Sequence, residues 1–517
     1  MRRFFTFLGD CCRLSCAGGW RYHLWMTLLA VGVVVGVYAY CQQLVSGLAL
    51  TGMSDQVSWG LYIANFTYLV GLAAAAAMLV IPVYVYRNMH LDDVVIFGEL
   101  LAVAVIIMCL LFVTVDLGRP DRFLHLLWRF NFPGSMLTWD VIALNGYLLL
   151  NLHICGYLIY SAYCERKPAR ILYVPLVFVA MAWAVSIHTV TAFLYVGLGG
   201  RPFWNSAIIA PRFLASAFAA GPAFIILTLQ VVRRYTDHPV SDDALFTLRR
   251  IVQVAMLINM FLLASEVFTE FYSGTQHSSS GHYLYLGLCG HHALVPWIWT
   301  AISMNLVATG LLMLPASRRL RVLNSVCLLS VVGIWIEKGM GLIVPAFIPT
   351  PLGEIAEYAP TAHEILICLG IWAFGLLLYT MFVRVSVPVL AGQVTYARRR
   401  ARDDRPPAVA PFPSTFANVA ASIAACGIDN LEACRYDGWY VISVRLPHGV
   451  VSGVARLARS GFAFLLQAFF PGDGKHRVLE QHAAGAPWDA FGIEPQAIVG
   501  LRIVMRTRER THLVPRA

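Results

Sequence analysis

The feature that most constrains this chain is a series of long apolar runs separated by short polar segments. A bilayer core of about 30 Å needs about 20 apolar residues per helix, and ten segments of the sequence meet that requirement. The sequence therefore predicts ten transmembrane helices. The predicted spans are 24–45, 57–86, 94–115, 140–163, 172–191, 213–232, 251–271, 294–314, 322–344 and 365–385.

The composition excludes a soluble protein of the same length. Hydrophobic residues make up 59% of the 517 residues and charged residues 13%, with a mean hydropathy of +0.68. A soluble globular domain carries about 25% charged residues to cover its surface. The net charge of +10 lies in short clusters between the apolar runs, which indicates membrane orientation rather than nucleic-acid binding. We therefore predict an all-α integral membrane protein.

Basic residues set the expected orientation, because loops rich in Lys and Arg stay in the cytoplasm. Clusters at 166–170, 318–321 and 398–405 fall on one side of the spans, together with the arginines before the first span. Both termini are therefore expected in the cytoplasm, with the protein in the cell inner membrane. The opposite loops hold only isolated arginines, namely Arg119, Arg122, Arg129, Arg201 and Arg212.

The chain beyond the last span differs in composition from the rest. Its segment WYVISVRL (439–446) predicts a strand, and 450–470 predicts an amphipathic helix. The predicted organisation is 1–23 as a cytoplasmic N-terminal segment, 24–392 as a ten-helix transmembrane domain, 393–413 as a basic, proline-rich linker, and 414–517 as a small C-terminal cytoplasmic extension of open role.

Metal and haem sites are not expected in this chain. The twelve cysteines include no CxxC and no run with ferredoxin spacing. His153 and His188 are predicted on neighbouring helices but at different depths, so they cannot be the two axial ligands of one haem. If the protein handles electrons, a partner must deliver them.

Polar residues gather near the predicted outer ends of four successive spans. Ionisable groups inside a membrane are costly, so each is a functional hypothesis. An amphiphilic ring compound with two carbonyl oxygens, such as a quinone, would suit this level. The candidate proton-exchanging residues are His188, Asp116 and Asp140, and the candidate binding residues are Tyr62, Asn65, Arg119, Asn145 and Thr191.

Alternatives stay open for these residues. Asp140 also fits a helix cap, and aromatic residues at span ends are commonly interface anchors. Further acids and bases inside the spans fit either a proton route or simple pairing across the bundle. This second set comprises Glu99, His153, Glu266, Glu270, Glu337 and Lys338.

Several long motifs resemble the NrfD/PsrC family of quinone-reactive membrane subunits. The motifs are WGLYIANFTYLVGLAAAAAML (59–79), VDLGRPDRFLHLL (115–127), SMLTWDVIALNGYLLLNLHI (135–154) and LGGRPFWNSAIIAPRFLASAFAAGPA (198–223). Two more, within 274–305 and 335–364, are similar to the ten-helix branch that includes HybB-, DsrP- and HmcC-type subunits. The resemblance covers roughly residues 20–392.

This resemblance implies two four-helix bundles, made of helices 2–5 and 6–9, plus two flanking helices. It implies a menaquinone or ubiquinone pocket in the first bundle, no haem or iron–sulfur cluster in this chain, and a periplasmic ferredoxin-like iron–sulfur partner subunit. Proton movement coupled to quinone chemistry is a further implication. The pocket positions that it implies are Tyr62, Asn65, Asp116, Arg119, Asp140 and His188.

The leading hypothesis is a subunit that exchanges electrons between the iron–sulfur partner and membrane quinone, and that is not catalytic alone. The alternative is a proton- or ion-coupled secondary transporter, because ten helices with buried charges also fit that class. Helices broken near the membrane midplane would favour the transporter. The prolines lie mostly near span ends, which weighs against it.

Overall fold

Two compact units make up the chain, Met1–Ala397 and Arg398–Ala517. In the computed structural model the first unit is helical, and the second contains strands. The structure describes residues 2–84 and 92–403, apart from loop positions 130, 237, 239, 273, 275, 276 and 351, and the strands between 431 and 503. The end of the second predicted span, at 85–86, part of the predicted linker, and the parts of the extension between strands lie outside the described residues.

Helices account for nearly all regular structure among the described residues of the first unit. They are α1 (Arg2–Cys16), α2 (Trp20–Ser46), α3 (Leu61–Ala73), α4 (Ala75–Tyr84), α5 (Asp92–Asp116), α6 (His125–Trp128), α7 (Met136–Tyr163), α8 (Arg170–Val196), α9 (Ile209–Tyr235), α10 (Asp242–Tyr272), α11 (His277–Tyr285), α12 (Val295–Met313), α13 (Leu320–Lys338), α14 (Met340–Ile343), α15 (Ala362–Leu390) and α16 (Tyr396–Asp403).

The all-α membrane fold is confirmed for the first unit. Nine helices in the described part of the chain are long and apolar enough to cross a membrane, and they coincide with nine of the predicted spans. The second predicted span, 57–86, is instead divided into α3 and α4 at Ala74. At this break the N–H of Ala74 bonds to the carbonyl of Leu72, so the regular α-helical hydrogen bonding stops for one residue.

The long helices pack in two groups. In the first group α3 and α4 pack on α5, and α5 and α8 pack on α7. In the second group α9 packs on α10 and α13, and α12 packs on α13. The groups meet where α9 contacts α3, α4 and α8.

The first and last long helices, α2 and α15, form a pair. Gly36 and Gly370 face each other at the crossing, and a Cβ added to Gly36 would lie 2.5 Å from the Gly370 Cα. Small residues let helix backbones approach this closely in membranes. Helix α15 also contacts α5, so the pair is attached to the first group.

The ninth predicted span is interrupted inside its length. Helix α13 ends at Lys338, and the next residue, Gly339, has φ −82° and ψ −101°. There is no room for a side chain at Gly339, because an added Cβ would lie 2.6 Å from the carbonyl oxygen of Trp335. The chain continues through α14 and a short 3₁₀ turn, Pro345–Phe347. The break places a lysine at a helix C-terminus, where a cation is favoured.

The second unit corrects one sequence prediction. The predicted strand 439–446 is confirmed, but 450–470 is not a helix, since two strands lie there and pair antiparallel from Val454 with Leu465 to Ala458 with Gly461. Valines in this stretch favour extended backbone, and its glycines disfavour a helix. The strands are β1 (Leu431–Glu432), β2 (Cys434–Tyr436), β3 (Trp439–Leu446), β4 (Gly449–Ala458), β5 (Gly461–Ala468), β6 (Arg477–His482) and β7 (Leu501–Ile503), in the sheet order β2-β3-β1-β7-β4-β5-β6.

Candidate functional site

The first group of helices carries polar side chains at the end where α3 begins and α5 ends, which the sequence predicts to be the outer end. Tyr62 is completely buried, and its hydroxyl donates a 2.6 Å hydrogen bond to Oε1 of Gln43. Gln43 in turn donates from Nε2 to the carbonyl of Val115 at 2.7 Å. One amide thus joins α2, α3 and α5 immediately beside Asp116.

The sequence pattern does not single out Gln43. It lies in the first apolar run, and the polar pair Gln42-Gln43 near the end of that run is the signal that could have found it. Asp116 is half-buried, and its Oδ1 is inaccessible and has no hydrogen-bond partner among the described residues. A buried carboxylate oxygen without a donor is costly, which makes it a candidate for binding or proton exchange.

Helix α15 fixes the start of α3. Glu364 Oε1 accepts from the hydroxyl of Tyr358 at 2.6 Å, and Oε2 accepts from the N–H of Gly52 at 2.7 Å. The same tyrosine oxygen accepts from the N–H of Leu61 at 2.8 Å. Burial and the neighbouring Glu364 raise the pKa of Tyr358, so its hydroxyl stays protonated and can donate. This network fixes the position of Leu61, and therefore of Tyr62, the next residue.

A cavity of about 270 Å³ opens next to Gln43. Its rim carries Arg119, which forms a two-pronged ion pair with Asp121 at 2.9 and 3.0 Å. Both side chains are exposed, and the hydrogen bonds from Arg119 lower the pKa of Asp121. The cavity lining comprises Tyr40, Gln43, Leu44, Gly47, Leu48, Leu117, Gly118, Arg119, Pro120 and Asp121.

A second polar group lies between α7 and α8. The hydroxyl of Thr191 donates to Oδ1 of Asp140 at 2.6 Å, and both residues are buried. His188 is three residues before Thr191 and therefore on the same helix face. Its Nδ1 lies 3.1 Å from the carbonyl of Ala184, while Nε2 is buried without a hydrogen-bond partner among the described residues.

Tyr195 lies between the two polar groups. Its hydroxyl is 2.5 Å from Thr67 Oγ1, and it is within electrostatic range of Asp140 and Asp116. The structure therefore brings Tyr62 and Asp116 to one end of the first group and links Asp140 and Thr191 to that end through Tyr195. His188 lies near the backbone of Gly71, nine residues beyond Tyr62 in α3.

Two predicted binding residues have other partners. The side-chain oxygen of Asn65 accepts from the indoles of Trp335 at 3.0 Å and Trp372 at 2.9 Å, so it ties α3 to α13 and α15. Asn145 is half-buried and donates to the carbonyl of Val141 within its own helix at 2.8 Å.

Buried charges also gather in the second group of helices. Arg212 forms ion pairs with Glu266 and with Glu337, the latter at 2.9 Å. The other oxygen of Glu337 accepts from Asn305 at 2.6 Å. We call these four residues the ion cluster. Glu270, one helical turn after Glu266, is also buried.

The ion cluster contains two residues that the sequence does not assign to it. Arg212 is predicted in an outer loop, whereas α9 begins at Ile209 and includes it. Asn305 gives no signal beyond being a polar residue in an apolar run. Glu266 and Glu337 are therefore paired across the bundle, which is one of the two alternatives for these acids.

Glu99 and His153 are not brought together. Glu99 is buried on α5 and accepts from the thiol of Cys155 at 3.7 Å. His153 is exposed, and its ring stacks on that of Tyr157 at a centroid distance of 6.2 Å.

Loops at the predicted outer side hold one histidine–carboxylate pair. His291 Nδ1 lies 3.3 Å from Glu357, which also accepts from the N–H of Ala293 at 3.1 Å. Burial acts to raise the pKa of Glu357, but these hydrogen bonds lower it overall. Within the described ranges, no three His, Cys, Asp or Glu side chains are grouped so that they could hold a metal ion.

Comparisons with known proteins match this chain over its helical part. The profile of the family described as "Polysulphide reductase, NrfD" matches residues 49–347. A Halobacterium salinarum protein, provisionally named as a membrane subunit of dimethyl sulfoxide reductase, is 26% identical over 398 residues, covering 68% of this chain and 88% of the relative.

Two other relatives extend the comparison. A selenate reductase subunit of Mesobacillus selenatarsenatis is 24% identical over 413 residues, which cover 72% of this chain and 95% of the relative. The Hdr-like menaquinol oxidoreductase integral membrane subunit of Archaeoglobus fulgidus is 24% identical over 259 residues. That match covers 50% of this chain and 63% of the relative's length.

Proposed function

The chain belongs to the NrfD polysulphide reductase family, and from that premise we propose that it is the quinone-reactive membrane subunit of a respiratory oxidoreductase complex. Quinone is the substrate here and not a resident cofactor. The relatives include a menaquinol oxidoreductase subunit by name, which favours menaquinone over ubiquinone. The chain is not a complete enzyme in this proposal, because its electrons come from another subunit.

The observation that carries the proposal is the polar wall beside the 270 Å³ cavity. A quinone head needs hydrogen-bond donors for its two oxygens and an apolar cleft for its tail. Gln43 lines the cavity, and the hydroxyl of Tyr62 behind it is bonded to the Gln43 amide. Asp116, next to the lining residue Leu117, holds an unpartnered carboxylate oxygen. Arg119 at the rim is placed to meet a polar head as it enters.

Proton exchange is assigned to the polar group behind this wall. His188 and Asp140 are the proposed proton-handling residues, with Thr191 holding one oxygen of Asp140 in place. The His188 ring has one nitrogen near the carbonyl of Ala184 and a second without a hydrogen-bond partner among the described residues, so a proton can be taken up at the second nitrogen. Asn65 and Asn145 have a supporting role, since each already bonds within the protein.

The electron partner is proposed to be a periplasmic ferredoxin-like iron–sulfur subunit. It would dock on the outer loops, where Arg119, Asp121 and the His291–Glu357 pair are exposed or half-buried. Both termini would then be cytoplasmic and the membrane would be the cell inner membrane. The basic clusters on the opposite side support this orientation.

Coupling to proton movement is part of the proposal. The route would use Glu99 in the first group and Glu266, Glu270, Glu337 and Lys338 in the second, all of them buried. We leave His153 out of the route, because its side chain is exposed.

The proposal is tested with the assembled complex in membranes, by measuring quinone-linked turnover. His188→Ala and Asp140→Asn remove the proton-exchanging groups, and general acid–base groups contribute about 10²–10⁴ in rate, so turnover should fall at least about a hundredfold. Thr189→Ala is the matched control, because Thr189 adjoins His188 but bonds to the carbonyl of Val185 on an exposed face. Normal turnover in both site variants would contradict the proposal.

A further inference from the structure

Lys338 lies at the boundary between the two groups of helices. It is the last residue of α13, and its side chain is buried and directed at α9. The Nζ donates to the carbonyl of Phe213 at 3.2 Å and lies 4.1 Å from the centre of the Phe213 ring. These contacts leave the ammonium without a direct carboxylate bond among the ion pairs of the described residues.

In the first group, the residue next to the Lys338 ammonium is a glycine, Gly71 of α3. A Cβ built on Gly71 of α3 would lie 3.2 Å from Nζ, so the lysine occupies space that any side chain at this position would crowd. The unpartnered Nε2 of His188 comes near the backbone of the same glycine. Lys338 and His188 are also within electrostatic range of each other. Gly71 therefore has the ammonium and the imidazole as common neighbours.

In the second group, the ion cluster lies next to Lys338 across a small cavity. A cavity of about 10 Å³, room for about one water molecule, is lined by Arg212, Ser216, Glu337 and Lys338 among others. Ser216 donates to the same Phe213 carbonyl as Lys338, at 3.0 Å. Glu337 cannot bind Lys338 without giving up Arg212 or Asn305, because both of its oxygens are already occupied.

We propose that Lys338 is the proton-transfer link between the quinone site and the ion cluster. This inference rests on the proposed function and adds the residue that connects its two halves. A proton leaves Nζ as one N–H bond breaks, and a new N–H bond forms at Nε2 of His188. The carboxyl group of Glu337 then gives a proton to the neutral amine through the small cavity, so that its O–H bond breaks as the N–H bond of Nζ forms again. No electrons move in this step, and one positive charge crosses between the helix groups.

The chemistry explains why a lysine stands here. A buried ammonium can release its proton, whereas a guanidinium holds its charge. Lys338 does not touch the quinone, so it acts through His188. A lysine that merely balanced the charge of Glu337 could be replaced by arginine without loss.

The test uses the whole complex in liposomes and measures electron transfer and proton release together. Lys338→Met and Lys338→Arg should both lower the number of protons released per electron transferred to quinone. If Lys338→Arg translocates protons like the unaltered complex, Lys338 is only a charge partner and the inference is overturned.

A second variant decides the matter if Lys338→Met fails to assemble. Gly71→Ala improves helix propensity but places a methyl group against Nζ, so it should lower the ratio of protons to electrons. Gly310→Ala on α12 is the control, because a Cβ there meets nothing within 4 Å. An unchanged ratio in Gly71→Ala would overturn the inference.

The two proposals fail in different ways. An unaltered complex that transfers no electrons to quinone contradicts the proposed function. An unaltered complex that transfers electrons without releasing extra protons overturns the role of Lys338 alone.

Discussion

Glu337 and Asp140 are both buried carboxyl groups, but they meet different partners. Glu337 receives a guanidinium and an amide, which balance its charge and occupy both oxygens. Asp140 receives a neutral donor, the hydroxyl of Thr191, and forms no ion pair with the described residues. A carboxyl group bound by a hydroxyl can change its protonation more readily than one bound by a cation, since an adjacent cation favours the charged form. This contrast favours Asp140 over Glu337 as the carboxyl group that exchanges protons with quinone.

At the residue scale, Gln43 should control quinone binding. Gln43→Leu leaves the hydroxyl of Tyr62 and the carbonyl of Val115 without their partner, which costs about 1–3 kcal/mol. We expect the KM for quinone to rise while the amount of assembled complex changes little. Gln42→Leu is the neighbouring control, because Gln42 contacts Tyr38 and His363 instead. An equal rise in KM for both variants would contradict a specific role for Gln43.

At the element scale, the apolar runs predict eight of the ten spans as single helices, because length and hydropathy suffice for that inference. They do not predict the breaks at Ala74 and Gly339. The ends of a run carry polar signals, whereas a break inside it depends on packing, such as the approach of Gly339 to the carbonyl of Ala64. A break of this kind is what the transporter alternative asks for. Here it positions Lys338 between the helix groups.

The pairing of α2 with α15 is an element-scale property that a single substitution tests. Gly36→Leu would force a side chain into the Gly370 backbone, and such overpacking costs about 1–3 kcal/mol. The thermal midpoint of the purified complex should fall, and quinone affinity should fall with it, since α2 carries Gln43 and α15 carries Glu364. Val34→Leu, on the exposed face of α2, should change neither property. A normal midpoint in Gly36→Leu would mean that the helices do not pack through these glycines.

At the scale of the whole molecule, the sequence predicts where polar groups lie along each span but not which of them meet. Tyr62, Asp116, Asp140 and His188 are predicted at one level from the order of the spans, but His188 lies beside Gly71, nine residues beyond Tyr62 in α3. The sequence places Arg212 in an outer loop. Its pairing with Glu266 and Glu337 is missed, because both acids are on helices distant in the chain. Pairings between distant helices follow from packing, which one sequence does not contain.

The orientation of the whole molecule can be read from its own cysteines. Cys12 on α1 and Cys289 in the loop after α11 are both exposed and lie on opposite predicted sides. Burial raises the pKa of Cys11 to about 11, so this neighbouring thiol reacts slowly and does not obscure Cys12. In intact cells a membrane-impermeant maleimide should label Cys289, and it should reach Cys12 only after permeabilisation. Cys16 on α1 is also exposed, so Cys289→Ser and the double variant Cys12→Ser/Cys16→Ser identify each signal. Labelling of Cys12 but not Cys289 in intact cells would reverse the orientation and move the proposed quinone site to the cytoplasmic side.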